Sequence, residues 1–394
     1  MRMKHSILLS LFCCVQASAF TLPQNQIKSY ECAICDGLSR DLLQDNWSIT
    51  KNPLKDMKGN LQKSYSYYQQ VTAAQMQQGI TLPLHAPEAV IRIIPLQRNK
   101  SIPSLELKNA DGKSMSLKEA SSLYSQDEAI DESLTIGEHQ IMMQIKPELG
   151  AGPFIMQSKS MDSSNGSEKY LIHVFEKFSL IYLQIEPSTW QYHYGESFDA
   201  LITLKDNINS YPIDDINALL VGPGNQTIPL KIKEIKRNQF QATALLDSDI
   251  NTHGENWYID VDVLCAFNEN GPVHRSGRAA FSYSIPSASL VSIKKIGSNP
   301  IQLAATVEVA TASRYALQSI LYKKNTQGTN IPLETTQSTQ WLEPGRQIIK
   351  FTFDNSTHLS EDQLSVGYLR LTDYGQLKTV YQYDQPIALS QLLE

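Results

Sequence analysis

Cys32-Ala33-Ile34-Cys35 is the spacing with the most chemical meaning in this chain. Two thiols three positions apart can close a local disulfide, cycle electrons, or supply half of a zinc site. A thiol–disulfide oxidoreductase needs a strand before the pair and a βαβ unit after it. Here a short, largely polar stretch precedes Cys32. Zinc needs four ligands, and there is no second Cys-x-x-Cys and no His pair at ligand spacing. The expectation is a structural disulfide between Cys32 and Cys35, with redox and zinc chemistry as the competing readings. Cys265 falls in an alternating run in which Trp257, Ile259, Val261, Val263, Cys265 and Phe267 share one strand face. A cysteine on such a face behaves as a small hydrophobe, so a buried thiol is expected.

Other candidates are weaker. Gly195-Glu196-Ser197-Phe198-Asp199 approaches a nucleophile elbow, but it lacks the second glycine and sits where a hairpin is expected. There is no His-Glu-x-x-His, no Walker A loop and no Gly-x-Gly-x-x-Gly. His173 is opposite in parity to Ile172 and Val174, which suits a surface or edge residue better than a base. Asp247, Asp249 and Asn251 alternate as calcium ligands do, but without the glycine and distal Glu of a calcium loop they read as a turn. Tyr65, Tyr67 and Tyr68 suggest a carbohydrate-stacking stripe, although packing of a helix on its neighbour is the plainer reading. The paired carboxylates of a glycosidase are defined by distance in space and leave no trace in sequence. No catalytic residue, cofactor or metal site is assigned.

The elements that would position any site are mainly strands. With 394 residues, two or three domains are expected. A formal charge of -6, from 34 basic and 40 acidic residues, argues against general nucleic-acid binding, which needs a basic surface. Residues 1–19 read as a signal peptide: Arg2 and Lys4 are basic, Ile7 to Val15 is apolar, and Ala17-Ser18-Ala19 is a cleavage pattern. The apolar run is too short for a membrane span, and no later stretch is apolar enough. The mature protein is expected to begin at Phe20 and to be secreted, with the periplasm as the alternative.

Residues 20–79 read as a helical or irregular segment, with Lys63 to Gln78 as a helix capped by Gly79. Residues 80–181 read as a β-rich domain, with one short helix over Ser116 to Ser125 capped by Ser116 and Glu119. Residues 182–286 read as an immunoglobulin-like β-sandwich, from short strands separated by Gly, Pro and Asn turns. Residues 287–394 read as a C-terminal β-sandwich, in which Ile301, Leu303, Ala305, Val307 and Val309 line one face. The expected fold class is mainly β: tandem antiparallel immunoglobulin-like β-sandwiches with a short helical N-terminal segment.

Several turns and core positions carry a resemblance. Tyr194-Gly195-Glu196-Ser197-Phe198 opens the second β unit, and Leu219-Leu220-Val221-Gly222-Pro223-Gly224 lies midway. Gly254-Glu255-Asn256-Trp257-Tyr258-Ile259-Asp260-Val261 fills its core, and Arg275 to Ser284 ends it. In the third unit, Ala312-Ser313-Arg314-Tyr315-Ala316-Leu317 and Leu342-Glu343-Pro344-Gly345 complete the set. Together these resemble a gammaproteobacterial family of secreted three-domain immunoglobulin-like proteins, of the domain of unknown function 4785 type. The resemblance implies export and β-sandwich architecture and supplies no catalytic residues. Asn225 departs from the pattern by following Gly224 where Asp-Gly is commoner.

The expected function is that of an exported, non-enzymatic multidomain binding protein for a protein or glycan partner. The competing function is a secreted hydrolase or its accessory subunit, with a site in 80–181 or an interdomain cleft.

Overall fold

The computed structural model describes residues 19–53, 61–97, 101–126, 140–158, 166–250, 255–266, 271–354 and 359–392. Residues 1–18 of the expected signal peptide lie outside the described residues, as do Asn251 and Phe267. The chain is mainly antiparallel β, with one α-helix among the described residues. It divides into two compact units.

The larger unit comprises residues 56–247 and 255–283. Its backbone is a ten-stranded sheet. Asp215–Val221, Trp257–Cys265 and Val273–Ser284 are neighbours in one half, and Ser66–Thr72, Lys169–Phe175, Val90–Pro95 and Ile141–Ile145 in the other. The halves join where Val273–Ser284 meets Ser66–Thr72, and their ladder contact is the single pair Ser276 and Ser66.

Each half is covered on its inner face by a second sheet. Ile80–Leu84, Gly152–Ser158, Leu105–Lys108 and Ser114–Ser116 form one, and their Leu82, Leu107, Phe154 and Met156 pack with Tyr67, Ile91, Ile93, Ile172 and Val174. The other contains Tyr182–Pro187, Ser197–Lys205 and Gln239–Leu245. Phe198 from this sheet meets Phe281 at 4.8 Å between ring centroids. Alternation along each strand supplies one apolar and one polar face, the condition for a sandwich.

The smaller unit holds residues 284–392 with the N-terminal segment. Its four-stranded sheet contains Ala288–Ser298, Ile301–Val309 and Gly345–Phe353, and Phe20–Thr21 forms its edge. The facing six-stranded sheet contains Asn330–Leu342, Ser313–Lys324, Leu364–Asp373 and Lys378–Tyr383, and Leu43–Ser48 forms its edge.

Three expectations about local structure are corrected. Residues 20–48 are not a helical or irregular segment apart; they contribute an edge strand to each sheet of the smaller unit. Lys63 to Gln78 is not one helix. Gln62–Ser64 and Ser66–Thr72 are strands, and the helix is Ala73–Gln78, closed at its start by a reciprocal Thr72 and Gln75 cap. Gly79 does end it, at φ 96°. Period-2 burial of Tyr67 and Val71, with pairing to Lys169–Phe175, overrides the local helix signal. The Ser116 and Glu119 cap also forms, but it closes one turn before the strand Ser121–Gln126.

Candidate functional site

The cysteines occupy two unrelated places. The Sγ atoms of Cys32 and Cys35 lie at disulfide distance, 1.95 Å, around a three-residue 3-10 turn. The pair packs on Gly375, where an added Cβ would meet the two sulfurs at 2.7 and 2.9 Å and also the Tyr30 hydroxyl. Beside it, the buried Asp373 accepts from Tyr30 at 2.9 Å and from Ser287 and Ser313 at 2.6 Å each. Burial and the Asp373 carboxylate push the Tyr30 hydroxyl well up from its ordinary range. Among the described residues the element that follows the pair is the edge strand Leu43–Ser48, not a βαβ unit. Cys265 is fully buried on the inner face of Trp257–Cys265.

The elbow-like Ser197 starts a strand after a hairpin turn, and its Oγ is 3.5 Å from its neighbour's carbonyl, Phe198 O. Glu196 accepts from His193 N at 2.7 Å, closing that turn. Asp249 pairs with Lys28 at 2.5 Å. Among the described residues no group of three or more His, Cys, Asp or Glu can hold a metal ion.

The three tyrosines separate. Tyr67 points into the core, and burial, with the Glu176 charge, pushes its hydroxyl up. Tyr65 packs on Tyr182 at 5.5 Å. Tyr68, one parity step on from Tyr67, lies on the outer face with 46% of its surface exposed. Its ring stacks on His173, 4.5 Å between centroids and 15° from parallel. Burial, with the Arg92 charge, pushes the His173 ring below its ordinary pKa.

Tyr68 borders a groove of about 610 Å³ at the junction of the two half-sheets. Its rim and floor include Ser66, Asn217, Asp260, Asp262, Ser276 and Arg278. Register explains the assembly. Asn217 faces Asp262, Leu219 faces Asp260, and Asp260 faces Arg278 on neighbouring strands. Directly opposed residues share a face. Side chains hold the seam beside its single ladder pair: Ser64 Oγ donates to Ser276 O at 2.6 Å, and Tyr68 N donates to Ser276 Oγ at 3.2 Å.

Two polar clusters are fixed inside the groove. Arg278 forks onto Asp260, with both contacts at 2.6 Å. That pairing holds the guanidinium above its ordinary pKa. Asp262 accepts from Ser276 Oγ at 2.6 Å and lies 2.8 Å from His274 Nε2. Serine, aspartate and histidine therefore meet, but the carboxylate stands in the middle. A nucleophilic serine needs histidine next to its hydroxyl. Asp260 and Asp262 sit two residues apart on one strand face and do not oppose each other across a bond to be cut.

Behind the groove, on the inner face of the same strand, Arg275 is completely buried. Its Nη1 lies 2.7 Å from Glu176 Oε2, and its other nitrogens donate to Ile181 O and Ser179 Oγ. Glu176 Oε1 accepts from the backbone N–H groups of His85 and Ala86. Burial alone would push the Glu176 carboxyl up; the His85 hydrogen bonds and the Arg275 charge outweigh it and hold it below the usual range.

Three consecutive profiles cover nearly the whole described chain. The N-terminal domain of DUF4785, a domain of unknown function, matches residues 34–176, the central domain 179–284 and the C-terminal domain 287–390. The chain belongs to the DUF4785 family. A crystal structure of a DUF4785 family protein from Legionella pneumophila is 49% identical, with a TM-score of 0.83, covering 95% of this chain and 100% of that one. Salmonella alpha-2-macroglobulin also aligns, over 87% of this chain and 24% of its own, at 8% identity and a TM-score of 0.22. No curated protein matches. In DUF4785 terms the groove lies at the seam of the N-terminal and central domains. The start of the N-terminal profile, residues 34–48, packs with the C-terminal domain instead.

The family's turn motif also gains a cause. A Cβ on Gly222 would lie 2.6 Å from the Trp257 ring, so the motif glycine and the motif tryptophan are one packing unit. Gly224 and Asn225 both adopt positive φ, 65° and 60°, which asparagine tolerates.

Sequence reading missed the groove. The available signal was the polar parity set Tyr258, Asp260 and Asp262; what it faces across the seam is not written locally.

Proposed function

We propose that this DUF4785 protein is exported and acts as a non-enzymatic, multidomain binding protein, using the groove at the seam of its first two domains as the contact surface. The observation that carries the reading is the wiring of that groove. Its charged groups are held in fixed pairs by charge-assisted hydrogen bonds, with Asp262 between Ser276 and His274. Such an arrangement presents a preorganised polar surface. It offers no serine–histidine contact through which a proton could be relayed. Export is supported by the basic start at Arg2 and Lys4, the apolar run Ile7 to Val15 and the cleavage pattern Ala17-Ser18-Ala19.

The test has two arms. Mass spectrometry of protein recovered outside the cytoplasm should give Phe20 as the first residue; an intact Met1 there would refute export. Immobilised full-length mature protein should retain material from envelope or extracellular fractions, and Arg278→Glu should abolish that retention. Steady turnover of ester, peptide or glycoside substrates, lost in Ser276→Ala or Asp262→Asn, would overturn the binding reading in favour of a hydrolase.

A further inference from the structure

We propose that the groove takes an uncharged oligosaccharide, with Tyr68 as its stacking plate; this rests on the reading of the groove as the contact surface. Four observations point to that chemistry. The first is the plate. Tyr68 is half exposed, yet His173 holds its ring at 4.5 Å and nearly parallel. A plate already held in place loses little rotamer freedom on binding. The C–H face of a pyranose packs on such a ring, because the sugar face is apolar while its rim is hydroxyl.

The second is the rim. Asn217, Asp260, Asp262 and Arg278 are planar groups carrying pairs of donors or acceptors. Adjacent hydroxyls of a sugar each donate and accept, and they match such pairs. Ser66 adds a hydroxyl residue to the lining. The third is the shape. A volume of about 610 Å³ lies within the usual range of about 300–1,000 Å³ for small-ligand sites. It lies across strands of an outer sheet face, which suits a chain of rings better than one compact molecule.

The fourth is charge. The lining contributes two carboxylates against one guanidinium. Acidic sugars would meet Asp260 and Asp262 at close range, and like charges at an interface select against a ligand. A protein partner would find few apolar anchors, since Leu171, Leu219 and Val261 are the aliphatic residues of the lining and Tyr68 is its one aromatic ring.

The experiment is calorimetric titration of the full-length mature protein with chitotetraose, cellotetraose and mannotetraose, and with tetragalacturonate as the acidic counterpart. At least one neutral tetramer should bind and tetragalacturonate should not. Tyr68→Ala should weaken binding about five- to tenfold, the scale of one lost aromatic contact, while Tyr68→Phe keeps it. Asn217→Ala should also weaken it, so the assignment does not hang on one variant. Circular dichroism checks that each variant is folded. Failure of every neutral tetramer to bind wild-type protein overturns the proposal, as does unchanged binding by Tyr68→Ala or preference for tetragalacturonate. Retention of a polypeptide that Arg278→Glu abolishes, with no tetramer bound, overturns the sugar proposal and leaves the binding role standing. Cleavage of a bound tetramer does the reverse: it removes the non-enzymatic role and keeps the ligand class.

Discussion

Arg275 and Arg278 stand three residues apart on one strand and face opposite ways. Arg275 is wholly buried and faces Glu176, also buried. Arg278 keeps 53% of its side chain exposed and forks onto Asp260. The chemistry of the two pairs is the same, a guanidinium on a carboxylate. Burial makes them different objects. The inner pair has exchanged water for each other and for fixed neighbours, His85 and Ala86 N–H on Glu176 and Ile181 O and Ser179 Oγ on Arg275, so it behaves as a structural clasp between the N-terminal and central domains. The outer pair is still solvated, so water can be exchanged for a ligand at small cost. One strand thus supplies both the rivet of the seam and the polar wall of the groove above it.

The strongest way to break this contrast is Glu176→Gln. The substitution keeps size but leaves the Arg275 charge buried without its counter-ion, at about 3–5 kcal/mol. Urea unfolding of wild type and variant measures it. A loss under about 1 kcal/mol would mean that water reaches the pair, and the inner and outer arginines would then be alike. The same pair sets an acid limb. The Glu176 carboxyl is lower in the folded than in the unfolded chain, so its contribution is present above the ordinary carboxylate pKa and is lost as pH falls through the folded value. Glu176→Gln should flatten that limb.

A covalent contact tests the rule in the smaller unit. Cys35 is buried against Gly375, and Cys32 is partly exposed. We propose that the two are joined by a structural disulfide. Replacing both by Ser should cost roughly 1–3 kcal/mol, because the closed loop is short. Binding at the groove should not change. A folded double variant that loses all binding would return the pair to a redox role. Cys265 should resist alkylation until the protein is denatured.

On the outer face, Asp260→Asn should cost less than about 1 kcal/mol, since the Arg278 left behind is already solvated. Thermal unfolding measures it. A larger loss would show that the outer pair is structural too. The smallest effect concerns His173. Its folded pKa lies below the unfolded value of 6.5, so the unfolded chain binds more protons between the two. Stability should therefore rise with pH through that window and be flat above it. His173→Gln should remove that rise; if the slope persists, the titrating group lies elsewhere.

Much of the fold is legible because a strand writes its two faces into alternate residues. Trp257, Ile259, Val261, Val263 and Cys265 are buried as their parity requires, and Tyr258, Asp260, Asp262 and Leu264 stand on the other side. Turns were equally readable, since Gly222, Gly224 and Gly195 mark places where a side chain is crowded or φ is positive. The Ser116 and Thr72 caps are local hydrogen bonds and form as their residues dictate, but a cap does not fix how far a helix runs.

Tertiary structure alone decided the partners. Ser66 meets Ser276 across more than half the chain, Leu43–Ser48 pairs with Asn330–Leu342, and Tyr68 becomes an exposed plate because its strand docks beside Lys169–Phe175. The physical reason is that a ladder hydrogen bond is the same for any two backbones. Which distant edges pair, and in which register, depends on the summed burial of whole faces, a quantity that no local stretch of sequence contains.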